Sequence, residues 1–192
     1  LHLIHRAYSE VLDEGVDVPM PPVGVMIEVP AALYQARELI QMVDFLSVGT
    51  NDLTQYLLAV DRNNRQVSDL YNSFHPAVLH ALLHVVEQAH EEGKPVSVCG
   101  EMAGDPLCTL FLLGTGIDEL SMGPIYIPVV KKLIRAVKRE DAEVVAKEVL
   151  RYDTVEEIKG YLFSSLRDLG LIALIIVGRL TRSEEHTSEL QS

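Results

Sequence analysis

The 192-residue sequence predicts an α/β protein, the C-terminal half of a (β/α)8 TIM-type barrel, on three observations. Short apolar runs alternate with stretches of helical period. The runs are apolar on both faces, as the strands of a helix-covered parallel sheet are. Polar residues repeatedly close the runs, at the strand ends where α/β folds build their sites. A complete doubly wound sheet satisfies the same periodicity, which alone does not separate the two.

The elements follow in order. Residues 23–29 form the first run, and Pro30 stops it. Leu33, Ala36, Leu39, Ile40 and Val43 then keep a helical spacing. Residues 45–49 form the second run, closed by Thr50-Asn51-Asp52, where a helix through Leu53, Tyr56, Leu57 and Val60 begins. His75-Pro76 opens a long amphipathic helix through Leu79, Leu82, Leu83, Val86 and Ala89, which Gly93 ends. Residues 95–100 are the third strand, followed by a helix from Pro106 to about Leu113. Residues 119–122 are a shorter fourth strand, and helices follow over 129–137, 141–150 and 154–166.

Composition narrows the function classes. The chain is 48% hydrophobic and 23% charged with a formal net charge of −12, enough apolar material for a core and too much for a disordered chain. No apolar run reaches the roughly 18–20 residues of a membrane-spanning helix. The acidic balance, without a Lys/Arg cluster, argues against nucleic acid or an anionic membrane as partner. Two cysteines are no disulfide framework, so a reducing, cytoplasmic setting is expected.

The ends differ from the middle. Leu1-His2-Leu3-Ile4 has neither an initiator Met nor a signal-peptide layout, so the chain is expected to begin within a longer protein. Residues 182–192 resemble the translation of a common DNA sequencing-adapter read and are expected to be an assembly artefact. They carry one Arg against three Glu, so the net charge without them is −10. Residues 172–181 are an apolar extension without an assigned role, which leaves 1–171 as the expected domain.

Five residues are candidates for chemistry. Glu28 interrupts an apolar run, and burying its carboxylate costs several kcal/mol unless a metal ion or an Arg compensates it; a strand-end Glu reaching solvent is the plainer alternative. Asn51-Asp52 leaves a buried strand for a helix. These residues serve as N-caps, or Asp52 supplies a second carboxylate near Glu28. Two carboxylates with substrate oxygens and water suit Mg²⁺, and the helix start favours an anion. Arg62 offers a planar fork for phosphate or carboxylate, or is a surface loop residue. Cys99 closes the third strand, where a thiol can move a proton at carbon, although most strand cysteines are inert packing. Cys108 is expected to be packing, and the His80/His84 pair a helix face without the Glu of a zincin motif.

Three segments then carry a resemblance. Residues 24–32 (Gly-Val-Met-Ile-Glu-Val-Pro-Ala-Ala), 49–56 (Gly-Thr-Asn-Asp-Leu-Thr-Gln-Tyr) and 99–105 (Cys-Gly-Glu-Met-Ala-Gly-Asp) resemble the PEP-utilising enzymes. Within that family they look most like the phosphoenolpyruvate–protein phosphotransferases of bacterial phosphotransferase systems. Residues 61–64 and 93–99 resemble the nitrogen branch, since the sugar branch typically has Gly where Asn63 stands. Pyruvate phosphate dikinase and PEP synthase share the Asn-Asp turn but differ around Arg62 and after Glu101.

The resemblance implies that Glu28 and Asp52 coordinate Mg²⁺. It implies that Asn51, with the Asp52 backbone, and Arg62 hold the PEP phosphate, and that Cys99 protonates C3 of the enolate to give pyruvate. It further implies transfer to an enzyme histidine and then to a histidine phosphocarrier protein, and a homodimer. No Gly-Gly-x-Thr-Ser-His phosphoacceptor motif occurs, so none of the seven histidines is expected to be the phosphohistidine. The first barrel strands, the carrier-binding domain and a sensor domain are not in this sequence, so the chain alone is expected to be poorly stable and inactive. A non-catalytic PEP-sensing or dimerisation module is the competing reading, which the intact proton-donor position disfavours.

Overall fold

A computed structural model describes residues 1–174. Residues 175–192 lie outside the described residues, and with them most of the apolar extension and the whole adapter-like segment. Leu171, Ile172 and Leu174 pack against the core, so the start of that extension belongs to the fold.

Four strands form one parallel sheet in the order β1 (Gly24–Ile27), β2 (Phe45–Gly49), β3 (Val96–Cys99), β4 (Glu119–Ser121). A helix, α1 (His2–Asp13), precedes β1. Between β1 and β2 run α2 (Pro30–Leu33) and α3 (Ala36–Met42), and between β2 and β3 run α4 (Thr50–Leu57) and α5 (Pro76–Glu91). A 3-10 turn (Glu101–Gly104) and α6 (Thr109–Thr115) lead to β4. Then follow α7 (Ile127–Ala136), α8 (Arg139–Val149) and α9 (Val155–Asp168).

Three helix boundaries depart from the sequence pattern. The helix expected through Val60 ends at Leu57, before Ala59 at φ +53°. The helix expected after β1 is broken, because Gln35 leaves helical geometry at φ −112°, ψ 11° before α3 restarts. The helix expected from Pro106 starts at Thr109. Asp105 delays it by accepting the Leu107 N–H on its side chain (2.9 Å) and the Cys108 N–H on its carbonyl (3.0 Å), a local turn that competes with the helix.

The strands are not apolar on both faces as expected. Register places Val25, Ile27, Leu46, Val48, Val96, Val98 and Leu120 on one face, and Met26, Phe45, Ser47, Ser97, Cys99, Glu119 and Ser121 on the other. The first face joins the core with α3, α4 and α5, and Ile27, Leu46, Val48, Val96 and Val98 are fully buried there. The second face stays partly open, with Met26 47% exposed. Small Ser and Gly residues within the runs make this face read as apolar in sequence. Among the described residues β1 and β4 are unpaired along their outer edges.

The N-terminal ends of the strands are clamped by a repeated device. Asp44, just before β2, accepts the Val23 N–H (2.7 Å) and donates its own N–H to the Val23 carbonyl (2.7 Å). Asp118, just before β4, does the same to Val96 at 2.8 and 3.0 Å. Lys94 donates to the Ile40 and Val43 carbonyls at the end of α3, where a cation suits the helix dipole.

The last helices are part of the same core. Ala142, Val145, Ala146 and Val149 of α8 and Ile158, Leu162 and Leu166 of α9 are buried. α8 crosses α6 so closely that a Cβ on Gly114 would overlap the Ala142 carbonyl.

Candidate active site at the strand ends

The candidate residues collect at the C-terminal ends of β1, β2 and β3. Glu28 follows β1 directly and is half-buried; its Oε2 lies 3.0 Å from where a Gly49 side chain would begin. Gly49 is therefore glycine because the carboxylate crosses over it. Glu28 makes no hydrogen bond or ion pair to any described residue, so the compensation expected for a buried carboxylate is replaced by partial access to solvent. Cys99 is the register partner of Gly49 on the other side. One row across the sheet thus brings Glu28 and Cys99 to the two flanks of the same glycine.

The turn after β2 is latched to the turn after β3. Thr50, almost fully buried, donates its hydroxyl to the Cys99 carbonyl (2.7 Å). The Glu101 N–H donates to Asn51 Oδ1 (3.1 Å). Because that oxygen is taken, the Asn51 amide has its NH2 end left as a donor, the polarity an anion requires. Gly100, between the two latches, sits at φ +108°, ψ −173°, a region essentially restricted to glycine. A Cβ there would meet Thr50 Oγ1 at 2.6 Å and Asn51 Oδ1 at 2.8 Å. The close approach of these two turns depends on that residue.

Asp52 lies in the first turn of α4, and its Oδ1 stands 3.6 Å from the Arg62 guanidinium. Both side chains are more than a third exposed, so the pair is loose and either partner can turn to a ligand. Arg62 rides on the loop that follows α4, with its backbone N–H on Gln55 Oε1 (3.2 Å). The Cys99 thiol lies over β2, 3.6 Å from the Val48 carbonyl and 4.0 Å from the Ser47 hydroxyl. Tyr71, on the return leg of the same loop, donates to the Asn51 carbonyl (3.2 Å). Burial first, then the Glu101 carboxylate, pushes the Tyr71 phenol above its ordinary value, against a smaller opposing pull from Arg62.

Among the described residues no three His, Cys, Asp or Glu side chains gather as a metal cluster. Mg²⁺ does not need one, since it takes one or two carboxylates and completes its shell with substrate oxygens and water. An unpartnered Glu28 and a loosely held Asp52, both hard oxygen donors at adjacent strand ends, fit that requirement.

Residues 1–139 match the family model described as PEP-utilising enzyme, PEP-binding domain. The chain belongs to the PEP-utilising enzymes. The phosphoenolpyruvate-protein phosphotransferase of Haemophilus influenzae is 53% identical over 136 residues, covering 71% of this chain and 24% of that protein. A protein named phosphoenolpyruvate-dependent phosphotransferase system is 42% identical in Salmonella typhimurium and 41% in Escherichia coli, each over 174 residues, 90% of this chain and 23% of the relative. The chain thus spans about a quarter of the length of these curated relatives. A match of 174 residues necessarily takes in α8 and α9, beyond the span of the family model.

In this member of the PEP-utilising enzymes, sequence reasoning singled out Glu28, Asn51, Asp52, Arg62 and Cys99; Glu28 and Cys99 stand at strand ends, Asn51 and Asp52 in the first turn of α4, and Arg62 on the loop after it. It passed over Thr50, Tyr71 and Gly100. Thr50 and Gly100 sit inside the quoted motifs, but their partners are about fifty residues away and leave no local signal. His80 and His84 are exposed on α5 and Cys108 is buried, as expected.

Proposed function

We propose that the chain is the PEP-binding part of a phosphoenolpyruvate–protein phosphotransferase, which moves the PEP phosphoryl group to an enzyme histidine and on to a histidine phosphocarrier protein. The observation that carries this reading is the latched pair of turns, which sets the donor end of Asn51 and the thiol of Cys99 on neighbouring strand ends. Asn51 and Arg62 hold the phosphate through N–H donors. The P–O bond breaks as the histidine nitrogen bonds phosphorus, and the enolate keeps the electron pair. Cys99 gives its thiol proton to C3 of the enolate, which becomes pyruvate, and the thiolate recovers a proton from water. Mg²⁺ held by Glu28 and Asp52 would neutralise charge on the phosphate and enolate oxygens.

The architecture we propose around this site is half of a (β/α)8 barrel. A strand order without reversal and a partly open sheet face support that over a doubly wound sheet, whose order reverses at a switch point and whose two faces are both covered. The open face, with Phe45, Ser47 and Cys99, is then barrel interior. We place the chain in the nitrogen branch on Asn63 and its neighbours, as a homodimer in the cytoplasm. No helix among the described residues is long and apolar enough to cross a membrane.

The test is made on the full-length gene product with PEP and Mg²⁺. Acid-labile, base-stable phosphate on the protein, matched by pyruvate release, is the expected result. Absence of PEP-dependent labelling with Mg²⁺ present would sink the reading.

A further inference from the structure

Arg62 stands on the part of its loop that has least to hold it. Residues 61–66 are exposed, whereas the loop is anchored at its two ends by the buried Val60 and Phe74. Phe74 is further covered by Lys159 of α9, whose ammonium lies 4.9 Å from the ring centre. Near Arg62, local turns at Asp61 and Asn64 order the backbone but do not reach the strand ends. The contact that ties the return leg of this loop to the motif turn is the Tyr71 hydroxyl on the Asn51 carbonyl, 3.2 Å away and twenty residues distant in sequence.

The surroundings of that hydroxyl are specific. The Arg62 guanidinium stands beside it and the Glu101 carboxylate faces it from the turn after β3. The fully buried Thr54 hydroxyl is close by without making a hydrogen bond of ordinary geometry. Burial raises the phenol above its ordinary value, so it remains a donor to the Asn51 carbonyl. One side chain therefore bonds the peptide of one predicted phosphate ligand and lies within the electrostatic reach of the guanidinium of the other.

We propose that Tyr71 is a positioning residue, whose phenol sets the Asn51 peptide and the Arg62 guanidinium in one arrangement before a phosphate arrives. The inference rests on the reading of the site as a PEP site. It makes Tyr71 act on substrate capture through Arg62, with no part in proton delivery by Cys99.

The experiment uses the full-length gene product and PEP-dependent phosphorylation with pyruvate release as readout. Tyr71→Phe keeps the ring and removes only the hydroxyl. The expected result is a KM for PEP raised about 3- to 10-fold, the range of one hydrogen bond, with kcat and thermal melting close to wild type. On an Arg62→Lys background the same change should add little, because the group it positions is already altered. An unchanged KM in Tyr71→Phe, or a fall in kcat alone, would overturn the proposal. So would an equal effect of Tyr71→Phe in both backgrounds, which marks plain structural support. If the unaltered protein shows no PEP-dependent phosphorylation, the function itself fails; if it is active and Tyr71→Phe matches it, only the role of Tyr71 fails.

Discussion

The two ends of the sheet are held by different chemistry. At the N-terminal end, Asp44 and Asp118 each close a two-bond clamp on the start of the neighbouring strand, and Lys94 covers the last carbonyls of α3. The charged groups there have their partners within the fold. At the C-terminal end the latches are made by neutral groups, Thr50, Asn51 and Tyr71, on backbone atoms. Of the charged groups at that end, Glu28, Asp52 and Arg62 are unpartnered or loosely paired. Charges of this kind are spent on the fold at one end and left for a ligand at the other, the division of labour expected of parallel α/β sheets, whose sites lie beyond the strand C-termini.

On that division, substitutions at the C-terminal end should lower turnover more than stability. The largest effect is expected from Cys99→Ala in the full-length protein. Its thiol bonds only weakly to its surroundings, so melting should hardly move, while loss of a general acid costs about 10²- to 10⁴-fold in kcat. Steady-state pyruvate release beside a PEP-binding titration separates the two, and wild-type turnover would remove Cys99 from the mechanism. Next comes Gly100→Ala. It forces a side chain into a glycine-only conformation, at about 1–3 kcal/mol, and into Thr50 and Asn51. Because both latches must shift, kcat should fall about a hundredfold even where the variant remains folded at lower temperature. A variant with normal kcat and only reduced melting would mean that the latches serve the fold alone.

The same division explains what the sequence made legible. Four βα units, their polar strand ends and the five site candidates are written locally, in apolar runs a few residues long and in the turns that close them. The one-sided covering of the sheet is not. Ser47, Gly49 and Ser97 are small enough to pass within an apolar run, and in strands of three to five residues there is too little alternation to separate the faces. The break at Gln35 and the late start of α6 depend on single-residue geometry at Gln35 and Asp105. Thr50, Tyr71, Lys94 and Asp118 escaped notice because each acts on a partner roughly twenty to fifty residues away. Glu28 was readable as an anomaly and its access to solvent as one of two readings, but the room that Gly49 leaves for it was not.

At the N-terminal end the order of effects should reverse, with stability lost and turnover kept. Lys94→Met keeps much of the aliphatic stem and removes two charge-assisted bonds to the end of α3. About 1–3 kcal/mol of stability should go, read as a lower denaturant midpoint with an unchanged slope. The PEP-dependent turnover of the folded variant should match wild type. A variant that lost kcat without losing stability would show that this end communicates with the site.

Asp118→Asn is the smallest and sharpest test, because it adds a pH signature. Burial works against ionisation of this carboxyl, but the bonds from His90 (3.0 Å) and the Val96 N–H (2.8 Å) outweigh it and hold the group below its ordinary value of 3.8. In the window between the ordinary and the lowered value the unfolded chain binds more protons, so stability rises with pH there. The contribution of the charge is therefore complete above the ordinary carboxylate value and disappears as pH falls through the lower, folded one. The side chain is 44% exposed, so screening limits that contribution to about 0.5–1 kcal/mol. Asp118→Asn should melt slightly below wild type at neutral pH, and the gap should close in strong acid, where both side chains are neutral. A gap that persists unchanged in acid would assign the clamp to shape and not to charge, and the contrast between the two ends of the sheet would then rest on Lys94 alone.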